Sequence, residues 1–247
     1  MNAMKWIAAS SACAVLLGWA ALAAVPDTSL VSGRVSMIRA NGSTRTDSDT
    51  GIVVWLTPVP GRSVAASSTR SAAVRPQIVQ KDKRFLTRLL AVEVGTTVDF
   101  PNKDPFFHNV FSRFDGKEFD LGLYEAGRTK PVVFNKPGVC YIFCNIHSRM
   151  STVVVVVESP YFVQLTTPGE FRIPELPLGR YQLNVWAERC SPETLKAASR
   201  QVVVEGPQTA IGNITLRETR DLITVHLNKH GKDYEEPMFS SPVYTQP

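Results

Sequence analysis

The stretch that decides the fold reads Lys136-Pro137-Gly138-Val139-Cys140-Tyr141-Ile142-Phe143-Cys144-Asn145-Ile146-His147-Ser148-Arg149-Met150. A Pro-Gly turn opens it, and an apolar run rich in β-branched and aromatic residues leads to Cys144. Such a run reads as a strand over Val139–Phe143, and the valine-rich Thr152–Glu158 as the next. The pattern C-x2-H-x2-M therefore occupies a tight turn between two strands, with Met150 at the start of the second. Upstream, Val92-Glu93-Val94-Gly95-Thr96-Thr97-Val98-Asp99-Phe100-Pro101-Asn102-Lys103-Asp104-Pro105-Phe106-Phe107-His108-Asn109-Val110 places a further histidine beside another strand.

A thiolate, two imidazoles and a thioether are soft and borderline donors that suit copper, and trigonal His2Cys with a weak axial Met is the arrangement of electron-transfer copper sites. One loop supplies Cys144, His147 and Met150, and His108 must close the site from another strand. Ligands fixed between two strands rearrange little when a metal changes oxidation state. Taken singly, each residue has a plainer reading: a buried Cys is a small hydrophobe, a histidine is structural, and a Met after a turn is core. The four together are specific.

The two segments, V-x-V-G-x-x-V-x-F-x-N-x-D-x-x-x-H-N-V followed by P-G-x-x-x-x-x-C-x2-H-x2-M, resemble the cupredoxin family of plastocyanin-like and amicyanin-like proteins, and the ligand-loop spacing is similar to that of amicyanins. The resemblance implies one type 1 (blue) copper ion cycling between Cu(I) and Cu(II), with His108, Cys144 and His147 equatorial and Met150 axial. It also implies that Asn109 ties the two ligand loops together, with Asn145 as its nearest partner and a role in setting ligand orientation. Cys140 raises the binuclear purple copper site as a rival. Residues four apart on a strand lie roughly 13 Å apart, however, so Cys140 reads as core, with a Cys140–Cys190 bridge as the alternative.

The flanks carry a second pattern. Gly169-Glu170-Phe171-Arg172-Ile173-Pro174-Glu175-Leu176-Pro177-Leu178-Gly179-Arg180-Tyr181-Gln182-Leu183-Asn184-Val185 is similar to the carboxypeptidase regulatory-like sandwich, and Val31–Val35 and Ile52–Pro58 look like its first strands. Two strands alone make no stable domain. The expectation is an all-β chain: a Greek-key cupredoxin β-sandwich or barrel at 76–158, inserted into a discontinuous Ig/transthyretin-like sandwich of 28–61 and 160–217. A C-terminal strand and extended tail occupy 218–247. Two sequential domains are the alternative. Further strands are expected at Leu89–Val94, Thr97–Phe100, Gln201–Val204 and Ile214–Leu216, a short helix at Pro192–Arg200, and a surface loop at 62–75. The arrangement resembles exported bacterial proteins of the methylamine-utilisation-like kind, except that Trp186-Ala187-Glu188 stands where those often have Trp-His-Glu.

Lys5, the apolar run Trp6–Leu22 and the exit Ala20-Ala21-Leu22-Ala23-Ala24 describe a Sec-type signal peptide cut after Ala23, with an uncleaved anchor as the alternative. The location expected is the periplasm, with no stable membrane span after cleavage. The 247 residues carry a net charge of +5, with dispersed basic residues and no basic stretch interleaved with aromatics, which speaks against a nucleic-acid partner. Four histidines leave too few imidazoles for the extra copper clusters of copper oxidases or nitrite reductases. The function expected is therefore a carrier of single electrons, not an enzyme, serving periplasmic redox proteins such as a cytochrome c or an oxidoreductase. Pro105 and Phe106 are its candidate docking surface. Copper sequestration or delivery, and an envelope binding module with a secondary copper site, are the alternatives.

Overall fold

A computed structural model describes residues 27–48, 51–59, 74–113, 116–219 and 226–234. The signal-peptide reading, most of the 62–75 loop and the end of the tail lie outside the described residues.

Among the described residues, valine runs and Gly/Pro turns make sixteen strands and one short helix. Strands β5 (Leu89–Glu93), β7 (His108–Ser112), β8 (Phe119–Tyr124), β10 (Gly138–Cys144) and β11 (Ser151–Val157) form a five-stranded sheet in the order β5-β11-β10-β7-β8. β6 (Thr96–Pro101) and β9 (Thr129–Phe134) pair antiparallel as a second layer. Val98 and Phe100 of β6 and Val132 and Phe134 of β9 pack against Cys140, Ile142, Val154 and Val156 of the larger sheet. The hairpin β3 (Gln80–Lys81) and β4 (Arg84–Phe85) adds Phe85 to the same core.

β11 is buried along nearly all its length because its two faces serve two cores. Val154 and Val156 point into the core just described, while Val153, Val155 and Val157 meet Val53, Leu89, Ala91 and Trp186. Period-2 alternation with apolar partners on both sides produces the continuous valine run, and each buried valine contributes about 1.5–3 kcal/mol relative to an exposed one.

The early and late parts of the chain pair with each other. β1 (Thr28–Ile38) runs antiparallel to β13 (Glu170–Pro177) and parallel to β16 (Gln208–Arg217). β2 (Ile52–Pro58) lies between β12 (Phe162–Leu165) and β14 (Gly179–Ala187), and β15 (Arg200–Val204) continues that sheet. The two sheets enclose a core that includes Val31, Met37, Leu56, Ile173, Tyr181, Leu183, Cys190 and Leu216. The helix α1 (Pro192–Ala198) starts at Ser191, whose hydroxyl accepts the Thr194 N–H.

The two cored units are joined by side chains as well as by the shared apolar cluster. Gln164 on β12 accepts the Ala91 N–H at 2.9 Å and donates to the Leu89 carbonyl at 3.0 Å, so its amide caps the edge of β5. Arg88 donates to the buried carboxylate of Glu188 at 2.5 Å.

Candidate metal centre

β7 begins at His108 and β10 ends at Cys144, and these strands are direct neighbours in the sheet. The register pairs Cys144 with Val110, which brings the start of β7 beside the loop that follows β10. That loop is closed by its own main chain: Met150 N–H donates to the His147 carbonyl, and Cys144 N–H to the Met150 carbonyl, both at 3.1 Å. Asn145 N–H donates across to the Asn109 carbonyl at 3.0 Å and fastens the loop to β7.

The result is a tight cluster. Cys144 Sγ lies 3.6 Å from His108 Nδ1 and 3.5 Å from His147 Nδ1, and the three donor atoms all fall within 4.8 Å of one another. A trigonal ion with bonds of about 2.0–2.3 Å to nitrogen and sulfur separates its donors by roughly 3.5–4 Å, so the donor set fits such an ion. His108, Cys144 and Met150 are fully buried, and Met150 packs in the same core as Cys144. His147 is half-buried, the one imidazole of the pair that reaches the surface.

The electrostatics suit ligation. Burial, reinforced by His108 and Lys83, holds His147 down at about 4. Burial also lowers His108 despite the opposing pull of Asp104. Both rings are therefore neutral at pH 7 and offer a lone pair. Burial pushes the Cys144 thiol up, against main-chain hydrogen bonds at Asn109, Ile146 and His147, so metal uptake must displace its proton.

Asp104 holds His108 from behind. Its Oδ2 lies 2.8 Å from His108 Nε2, while its two oxygens accept the N–H groups of Asp82 at 2.6 Å and Lys83 at 3.0 Å. Asn102 Oδ1 accepts the Asp104 N–H at 3.0 Å. The sequence carries the signal for this as a carboxylate four residues before the histidine.

The structure joins Asn109 and Asn145 through the main chain, the Asn145 N–H donating to the Asn109 carbonyl, while the Asn109 side-chain amide donates to Asp120 Oδ1 at 2.6 Å. A register shift between β7 and β8 after Asn109 turns this side chain towards β8. The Asn145 side-chain oxygen accepts the Lys229 N–H at 2.8 Å. Pro105 is exposed. The half-buried Phe106 ring packs against both imidazoles, with centroids 5.4 Å from His108 and 5.9 Å from His147. Cys140 stays outside the cluster, fully buried, with its Sγ accepting the Lys117 N–H at 3.1 Å. No disulfide joins Cys140, Cys144 or Cys190.

A two-layer β unit thus turns two imidazole Nδ1 atoms and a thiol towards one point, from a strand start and the loop after a neighbouring strand. No protein-family model matches the chain, and no curated protein matches it. Among solved structures it is similar to a purple cupredoxin from Nitrosopumilus maritimus, with 26% identity over 33% of this chain and 99% of that one and a TM-score of 0.30. It is similar to a Cu-containing nitrite reductase from Thermus scotoductus SA-01, with 24% identity over 38% of this chain and a TM-score of 0.34; the chain spans 25% of that protein. A Cu(I) mutant of amicyanin aligns at 20% identity over 42% of this chain and 98% of its own, with a TM-score of 0.33. Among the described residues, no helix is long and apolar enough to cross a membrane.

Proposed function

We propose that the chain is a periplasmic type 1 copper protein that carries single electrons between redox partners and catalyses no reaction of its own. The observation that carries this reading is the convergence of His108 Nδ1, Cys144 Sγ and His147 Nδ1 within 4.8 Å, with Met150 buried in the same core. In this reading His108, Cys144 and His147 are the three strong ligands and Met150 the weak axial one. Copper bound there supplies a one-electron Cu(I)/Cu(II) couple.

The chain's own residues supply the rest. The buried strand ends exclude water and hold the donors in one arrangement. Asp104 keeps the His108 ring turned so that Nδ1 faces the thiol. The half-exposed His147 and the Phe106 ring against it provide the contact face, with Pro105 beside them. Lys83 Nζ stands 5.5 Å from the Phe106 ring centroid and puts positive charge on that face. A site this enclosed favours a carrier over a protein that hands its metal on. The strands at 28–58 and 162–217 form, on this reading, one discontinuous sandwich of the carboxypeptidase regulatory-like kind, carrying the copper domain as an insertion.

The test is the visible spectrum of the purified protein with Cu(II), using Cys144→Ser as control. An intense thiolate-to-copper band that vanishes in the variant is expected. A colourless protein, or a band that survives the substitution, overturns the reading.

A further inference from the structure

Residues 226–234 lie against the outside of the ligand loop and touch it along most of its length. The Tyr234 hydroxyl donates to the Cys144 carbonyl at 2.6 Å. Lys229 N–H donates to Asn145 Oδ1 at 2.8 Å, and His226 N–H to the Ser148 carbonyl at 3.3 Å. The His226 ring stacks on Phe143, with centroids 4.2 Å apart and planes 30° apart, and meets the Tyr234 ring edge-on at 5.3 Å. His226 Nδ1 is 2.9 Å from the Leu227 carbonyl and 3.2 Å from the Tyr234 oxygen, so one small network runs from the imidazole through the phenol to the Cys144 carbonyl. Lys229 Nζ pairs with Asp120 Oδ2 at 2.8 Å and pins the segment to β8.

None of this follows from how such a segment reads in sequence. Polar residues around Gly231 promise an extended tail, yet Asn145 gives its side-chain oxygen to this segment and not to Asn109. Of the residues Cys144–Met150, Cys144, Asn145 and Ser148 receive hydrogen bonds from it, and Phe143, immediately before the thiol, lies under its imidazole.

We propose that residues 226–234 are a clasp on the ligand loop, and that Tyr234 and His226 are positioning residues that keep Cys144–Met150 closed over the thiol. Cys144 is fully buried, so a reagent reaches its sulfur only when the loop lifts from β7. The part-buried hydrogen bond from Tyr234 to the Cys144 carbonyl must break for that opening to occur. Removing one such bond speeds the opening about five- to tenfold. The clasp deepens the copper reading by naming what holds its loop, but its first test needs no metal.

The experiment compares the metal-free protein with Tyr234→Phe and His226→Phe. Each variant keeps an aromatic ring against its neighbours and loses its polar atoms. Alkylation by a small thiol reagent is followed cysteine by cysteine in urea well below the unfolding midpoint. Cys140 and Cys190, each buried in a different core, are internal controls. The expected result is a five- to tenfold faster modification of Cys144 in Tyr234→Phe, with Cys140 and Cys190 unchanged. Equal Cys144 rates in wild type and both variants, or a rise shared by all three cysteines, overturns the clasp. A second measurement, the release of bound copper to a chelator, should quicken by a similar factor. A wild-type protein that binds no copper sinks the copper reading and leaves the alkylation result standing.

Discussion

Asp104 Oδ2 sits 2.8 Å from His108 Nε2 while the opposite ring nitrogen, Nδ1, faces Cys144 Sγ at 3.6 Å. A buried carboxylate thereby fixes which nitrogen of a fully buried imidazole is offered to the site. The same carboxylate also organises the Asp82–Lys83 turn, so one group couples the β3–β4 hairpin to the ligand.

Asp104→Asn should weaken copper binding by about tenfold or more while leaving the thiolate band in place. Loss of partners behind a ligating histidine commonly costs 10–100-fold in affinity. Competition against a chelator of known affinity measures it. An unchanged affinity would show that the ring is held by packing alone.

Cys140 and Cys144 should behave oppositely. Cys140→Ser puts a hydroxyl at a fully buried position whose sulfur accepts one main-chain N–H, and it should cost about 1–2 kcal/mol of stability without removing the copper band. Cys144→Ser should abolish the band. Chemical unfolding alongside the visible spectrum separates the two effects, and loss of colour in Cys140→Ser would bring the binuclear site back.

Gly116 has φ +104°, and a Cβ there would stand 2.7 Å from Cys140 Sγ. Gly116→Ala therefore meets both backbone strain and a clash, and should destabilise by about 1–3 kcal/mol. Adding Cys140→Ala should recover part of that loss, because the clash goes and the strain stays. The unfolding midpoints of the single and double variants decide it; no recovery would place the whole cost in the backbone.

The Asp120–Lys229 link sets a pH dependence. Burial would raise the Asp120 carboxyl, but hydrogen bonds from Lys229, Asn109 and Gly122, with the Lys229 charge, hold it below its ordinary value of 3.8. A carboxyl lowered in the folded state stabilises fully above its unfolded pKa and loses that contribution as pH falls through the folded one. The link should therefore weaken only as pH falls below 3.8. Titration of the Asp120 carboxyl by NMR checks this, and a midpoint at or above 3.8 would contradict it.

Much of the all-β architecture was legible in the residues themselves. Val139–Phe143 announces its strand through β-branched and aromatic content and lies within β10, and the valine-rich Thr152–Glu158 matches β11 except for Glu158, which follows the strand's end at Val157. β8 and β9 were missed because Asp120 and Gly122 interrupt one and Lys130 and Pro131 the other. β12 is only four residues long, with no buried side chain. Such strands exist because their neighbours supply partners, which no local pattern records.

For the site, spacing along the chain named His108, Cys144, His147 and Met150, since C-x2-H-x2-M on one turn and a histidine beside another strand are local features. Only the tertiary structure decided what surrounds them. The β7–β8 register shift sends the Asn109 amide to Asp120, the hairpin turn brings the Asp82 and Lys83 N–H groups onto Asp104, and residues 226–234 return across some eighty positions of chain to reach Cys144 and Asn145. The physical reason is range. Strand propensity and ligand type are properties of neighbouring residues, whereas the hydrogen bonds that orient a ligand join groups far apart in sequence and exist only once the sheets have closed.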